Sequence, residues 1–210
     1  MTTTTATTVH TAVYDTLADW EVGLTIAHIN RQQWQRDPGR YRIVTVGLTR
    51  HEVTTMGGVR ITPDIELDEL HPKDSAMLIL PGADTWLDGS NARFATKARE
   101  LLAAGVPVAA ICGATAGLAA EGLLDDRAHT SNAAEFLAGT GYGGGERYVD
   151  APAVTDGNVI TASANAPAEF AREVLARLEV YTPSVLNSWY KLYGEQDPAG
   201  FFELMASENA

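Results

Sequence analysis

The segment VPVAAICGATAGLAAEGLLDD, residues 106–126, contains the only cysteine of the chain, Cys112, and its pattern changes at that residue. VPVAAI is a short unbroken apolar run, the signature of a strand buried on both faces of a parallel sheet. From Gly113 onward, GATAGLAAEG suits a helix that stops near Gly122. A strand that ends so close to a helix start places Cys112 on a sharp turn at the sheet edge. Free backbone N–H groups and the positive helix end would face its sulfur and lower the thiol pKa from its usual value near ~8.5. Gly113 suits the turn because it has no side chain to obstruct it. The same pattern admits a second reading, a small apolar filler, because unpaired cysteine is one of the most buried residue types.

Outward from this segment, strand and helix signals alternate. VHTAVY (9–14) is a β-branched strand, and residues 15–35 repeat apolar side chains at Trp20, Leu24, Ala27 and Trp34, close to helical period. YRIVTVGL (41–48) is a strand, EVTTMGGVRITP (52–63) a hairpin around Gly57 and Gly58, and AMLILPG (76–82) a second buried strand. An amphipathic helix over 91–105 leads into the opening segment. Residues 151–163 form a hairpin turning at Asp156 and Gly157, and 166–181 a helix. This order implies an α/β fold with a mainly parallel central sheet, small β-hairpin insertions and a site at the C-terminal strand ends. Residues 1–8 are expected to be a flexible end, 9–181 the α/β domain, and 182–210 a helical extension packed on the domain or a dimer interface. Within that extension Trp189, Tyr190, Tyr193, Phe201, Phe202 and Leu204 suit core packing first, and a dimer seal or pocket cap second.

Composition narrows the function. The 210 residues, 45% of them hydrophobic, suit one compact domain. Fifteen basic against 27 acidic residues give a net charge of -12, which repels nucleic-acid phosphates and anionic lipids. No apolar run approaches the roughly 20 residues of a membrane span. MTTTTATTVH lacks the basic start and apolar core of a signal peptide, and one cysteine makes no intrachain disulfide. The expectation is a cytoplasmic protein that binds neither nucleic acid nor membrane. The five histidines have no ligand-like spacing, so no metal is expected; His10, His28, His51 and His71 suit structural or exposed positions. Gly139, Gly141 and Gly144 have the spacing of a dinucleotide fingerprint but follow a helix instead of a strand, which makes GTGYGGGE a loop and a candidate lid.

Four motifs then carry a family resemblance: ADWEVG after the first strand, LILPGADTW after a central one, AAICGATAGLAAEGLLDDRAHTSN, and GNVITASANAPAEFA near the end. Over residues 9–181 the chain resembles the DJ-1/PfpI superfamily, which is related to class I glutamine amidotransferases and includes protein deglycases. The resemblance implies a flavodoxin-like three-layer sandwich, a homodimer, no cofactor, a nucleophile at Cys112 and an acidic partner at Glu21. An ionised Glu21 would oppose thiolate formation, so its carboxyl is expected to be protonated, to donate to sulfur, and to have a pKa raised by burial beside Trp20. Without the resemblance, Glu21 reads first as a favourable first-turn acid of a helix. His129 matches a position from which relatives bring a histidine near the nucleophile, and is the candidate base; alone it is a loop histidine. The resemblance places Gly82 and Gly113 as oxyanion N–H donors, although a glycine after a buried strand also serves a turn. Asp84, Trp20, Trp86 and Thr115 are candidate pocket-lining residues.

Departures from the family pattern sort the chemistry. ITASANAPAEF lacks the histidine of the amidotransferase triad, and Gly113 stands where protease-like relatives carry histidine and isonitrile hydratases threonine. For the hydratase, Glu21 or Asp19 would supply the acid. What remains is nearest a glyoxalase or deglycase: Cys112 attacks a small electrophile, an α-oxoaldehyde, and His129 relays protons toward a hydroxy acid. Rival readings are a redox sensor oxidised at Cys112, a non-catalytic holding protein, and an isonitrile hydratase-like or amidase-like hydrolase.

Overall fold

In chain order the elements of the computed structural model, which describes residues 7–207, are β1 (Thr7–Ala12), α1 (Asp19–Asn30), β2 (Tyr41–Gly47), β3 (Val53–Thr54), β4 (Arg60–Ile61), β5 (Ile65–Glu66), β6 (Met77–Leu80), α2 (Ala92–Ala103), β7 (Val108–Ile111), α3 (Gly113–Ala120), α4 (Ala134–Ala138), β8 (Ala153–Asp156), β9 (Val159–Ala162), α5 (Pro167–Arg177), α6 (Pro183–Tyr193) and α7 (Ala199–Ser207). The flexible end expected over 1–8 lies mostly outside the described residues. Its last two, Thr7 and Thr8, already pair with Tyr41 and Arg42, so the strand begins earlier than its apolar content suggests.

Seven strands form one sheet in the order β5-β2-β1-β6-β7-β9-β8, parallel except for the β8/β9 hairpin, while β3 and β4 make a separate antiparallel ribbon. Every residue of β6, β7 and β9 is buried, as a strand covered on both faces requires. Helices α1 and α5 pack together on one face, and α2 and α3 pack together on the other, giving the expected three layers. The chain runs from β1 to β2 on one side and returns to β6 on the other. That reversal opens a crevice at the C-terminal ends of β1 and β6, where doubly wound sheets place their sites.

Two boundaries differ from the sequence pattern. Helix α1 ends at Asn30, not near Gln35, because Gln35 folds back and its Nε2 donates to the carbonyls of His28, Ile29 and Arg31, while Trp34 leaves the helical conformation at φ 64 and stacks on His28. The C-terminal extension packs on the domain through α6, whose Trp189 is fully buried beside His28 of α1, whereas Phe201 and Phe202 of α7 remain exposed. No helix among the described residues is long and apolar enough to cross a membrane.

Candidate active site

The change of pattern at Cys112 is an abrupt one in space. Strand β7 stops at Ile111, helix α3 starts at Gly113, and Cys112 between them has φ 57 and ψ -125. A non-glycine residue in this region is strained by about 1–3 kcal/mol and persists only where its surroundings hold it. Here the Cys112 N–H donates to Ala162 O at 3.0 Å, and its carbonyl accepts Thr115 Oγ1 at 2.6 Å. Thr115 is fully buried and also bonds Ser131 Oγ at 2.6 Å, so it ties the turn to the segment after α3 instead of lining a pocket.

Three strand ends meet at this turn. Glu21 comes from the first turn of α1, after β1, and Gly82 follows β6. Gly82 N–H donates to Glu21 Oε2 at 2.6 Å. A Cβ on Gly82 would lie 2.7 Å from Cys112 Cβ and 2.7 and 2.9 Å from the two carboxyl oxygens, so only glycine lets carboxyl and cysteine converge. The bond to Glu21 takes up the N–H expected to serve an oxyanion. The next amide, Ala83 N–H, has no partner among the described residues and lies over Gly113, where a Cβ would be 3.5 Å from it and 3.1 Å from Ala83 O.

Burial raises the Glu21 pKa from 4.5 to about 7, opposed by the Gly82 N–H and by the thiol. The thiol is not lowered as the helix end suggested. Burial, joined by the Glu21 charge, pushes it up to about 11 and outweighs the Asn132 amide and Gly113 N–H, which favour the thiolate. Carboxyl and thiol therefore behave as one coupled pair that gives up its first proton near pH 7 and holds its second well above neutrality. Donor geometry bears on where the negative charge left by the first rests. Glu21 Oε1 is buried without a hydrogen-bond partner, whereas the sulfur is approached by the Asn132 amide and Gly113 N–H. A proton on Glu21, given to sulfur, satisfies both groups.

His129 is fully buried but is not bonded to sulfur. Its Nδ1 bonds Arg127 O and its Nε2 bonds Tyr142 OH, each at 2.9 Å, with the Tyr142 and Tyr148 rings packed edge-on against it. A parallel bridge between His129 and Tyr148 fixes this placement. Three residues further on, Asn132 reaches the thiol, with Nδ2 donating to Sγ at 3.3 Å. Asn132 was missed because nothing in RAHTSN distinguishes its amide from a loop residue; the bridge decides which side chain reaches the sulfur. Tyr142, from the glycine-rich run, serves this histidine, and Asp125 Oδ1 accepts Gly143 N–H at 3.0 Å, so the run is a fastened loop.

The remaining candidates divide. Trp20 is 53% exposed, so it does not bury Glu21; its indole N–H donates to Ala164 O at 3.2 Å at the rim. Asp84 is exposed, and its N–H donates to Thr16 Oγ1 at 2.9 Å. Trp86 is buried, its Nε1 bonded to Tyr14 OH and Pro81 O, and it lines a separate cavity of about 600 Å³ bounded by α2, α3 and α4. Asp19 is taken up by the β3/β4 turn, accepting Thr55 Oγ1 at 2.6 Å and Gly57 N–H at 2.7 Å.

A doubly wound α/β domain with a strained cysteine between strand and helix, and a buried glutamate beside it, defines a class of cysteine-elbow proteins. The chain belongs to the DJ-1/PfpI family, whose model matches residues 7–177. It is 44% identical over 204 residues to the uncharacterized protease YoaZ of Bacillus subtilis, covering 96% of this chain and 97% of that one. A thiJ/pfpI family protein from Bacillus anthracis shares the fold with a TM-score of 0.89 at 42% identity, over 96% and 97% of the two chains. A DJ-1 superfamily protein from Agrobacterium tumefaciens superposes with a TM-score of 0.79 at 34% identity, over 90% and 99%.

Proposed function

We propose that the chain is a cofactor-independent enzyme of the glyoxalase or deglycase type, with Cys112 as nucleophile and Glu21 as proton carrier. The observation that carries this reading is the buried, half-satisfied Glu21 carboxyl held against a strained cysteine by Gly82. In the proposed cycle the Cys112 thiolate adds to the aldehyde carbon of an α-oxoaldehyde. Glu21 gives its proton to the oxygen that develops charge, with Ala83 N–H as a supporting donor, and a hemithioacetal results. Now ionised, Glu21 removes the hydrogen on that carbon as a proton to give an enediolate and returns it to the neighbouring carbon, while the hydroxyl proton passes to the neighbouring oxygen, which becomes the product hydroxyl. The resulting thioester is cleaved by water to a hydroxy acid and free thiol, so aldehyde plus water balances the product. His129, tied to Tyr142, is left out of the proton path.

YoaZ is named an uncharacterized protease, but in this chain the residue after the nucleophile is Gly113 and no imidazole among the described residues is bonded to the sulfur, which supports a small electrophile over a peptide. A second copy of the chain is the proposed partner, and light scattering at working concentration tests it. The decisive assay compares oxoaldehydes, isonitriles, amides and peptides with wild type and Cys112→Ser. Steady methylglyoxal consumption lost by about 1,000-fold or more in Cys112→Ser is the expected result. Absence of wild-type turnover, with peroxide still modifying Cys112, overturns it in favour of a redox sensor.

A further inference from the structure

The side chain that follows α3 to the sulfur titrates nowhere. Asn132 Oδ1 accepts Ala164 N–H at 2.9 Å, and Nδ2 donates to Cys112 Sγ at 3.3 Å. The first bond fixes the sense of the second: a backbone N–H requires the amide oxygen, so the NH2 end faces sulfur. Ala164 is held from its other side, where its carbonyl accepts the Trp20 indole N–H at 3.2 Å. One residue of the β9–α5 loop thus joins the exposed indole at the start of α1 to the amide on the nucleophile. The titratable groups coupled to the sulfur are Glu21 of α1 and Tyr14 after β1, and burial keeps Tyr14 neutral by raising its pKa well above 10.

We propose that Asn132 is a catalytic residue, a pH-independent donor that holds negative charge on Cys112 Sγ while the pair's proton rests on Glu21, with Ala164 and Trp20 positioning it. This rests on the reading of Cys112 as the nucleophile and divides the work at that site. Asn132 holds charge and never carries a proton; Glu21 carries every proton. A site with one proton carrier suits an electrophile whose proton moves between adjacent carbons.

The test measures alkylation of Cys112 by iodoacetamide against pH, which needs no substrate and so stands apart from any assay of turnover. Asn132→Asp keeps an acceptor for Ala164 N–H but replaces the donor to sulfur; Asn132→Leu removes the donor without adding charge. In both variants the alkylation rate near neutral pH is expected to fall by about tenfold or more, with the profile displaced to higher pH. Trp20→Phe, which frees Ala164, is expected to shift the profile the same way by about threefold. Profiles for both Asn132 variants that superimpose on wild type overturn the proposal. So does a fall confined to Asn132→Asp, which would report charge repulsion. Wild-type alkylation that depends on Asn132 in a protein without methylglyoxal turnover would retain Asn132 as the sulfur's donor and reject the glyoxalase reading alone.

Discussion

Helix α1 buries one titratable side chain near each end, and the two are treated oppositely. Near its C-terminus His28 is closed in: Nδ1 bonds Tyr181 OH at 2.7 Å, and the rings of Trp189 and Tyr193 stand edge-on at 5.3 and 5.1 Å. Burial, with Arg31 adding to it, lowers its pKa to about 4, so the ring is neutral at physiological pH and serves to seat the C-terminal extension. At the N-terminus Glu21 has one oxygen bonded and the other orphaned beside a thiol. A buried group with its partner and its packing complete is structure; one whose satisfaction depends on where a shared proton sits is poised for chemistry.

Replacing each group by a neutral counterpart tests that contrast. Glu21→Gln keeps an acceptor for Gly82 N–H and removes the proton carrier, so turnover is expected to fall by about 100-fold, whereas His28→Gln leaves kcat within about twofold in steady-state assays. Stability moves the other way. The folded carboxyl has its pKa raised from 4.5 to about 7, so the folded state binds this proton more tightly, and stability is lost as pH rises between those values. Glu21→Gln is therefore expected to be more stable than wild type by about 2 kcal/mol near about pH 8, with the gain absent near about pH 4, by denaturant titration.

For His28 the sign is reversed. Its pKa is lowered from 6.5 to about 4, so the unfolded chain takes up the proton first and stability falls as pH drops from 6.5 toward 4. His10, also lowered to about 4, chiefly by burial, contributes to the same slope. His28→Phe is expected to flatten that slope by about 1–2 kcal/mol over the interval. A small effect on turnover is also expected at His129. His129→Phe breaks the bond to Tyr142 and lowers stability by about 1–3 kcal/mol, yet leaves kcat within about threefold. A larger loss, with the fold intact by circular dichroism, would return the proton path to the histidine.

The sheet was legible because MLIL and VAAI are apolar without alternation, as strands covered on both faces tolerate, and because the Asp156–Gly157 turn marks the hairpin that contains VITA. The turn at Cys112 was legible from the same rule plus the small residues after it. Short elements were harder: β5 is two residues, Ile65 and Glu66, held by pairing with Val46 and Gly47 and not by any pattern of its own. At the site, Glu21 and Gly82 emerged through the family motifs, but the direction of the Gly82 N–H did not, because it depends on a carboxyl 61 residues away. Asn132 was hidden for the same reason, since its orientation is decided by Ala164, 32 residues later.

The shared proton is the centre of this account, and the ultraviolet absorbance of the Cys112 thiolate, followed against pH with Cys112→Ser as blank, tests it most directly. A single rise with its midpoint near 7, where the pair gives up its first proton, is the expected result. A thiolate signal absent until pH approaches about 11 would place the neutral-pH charge on Glu21 and leave Cys112 a protonated thiol, contradicting the account.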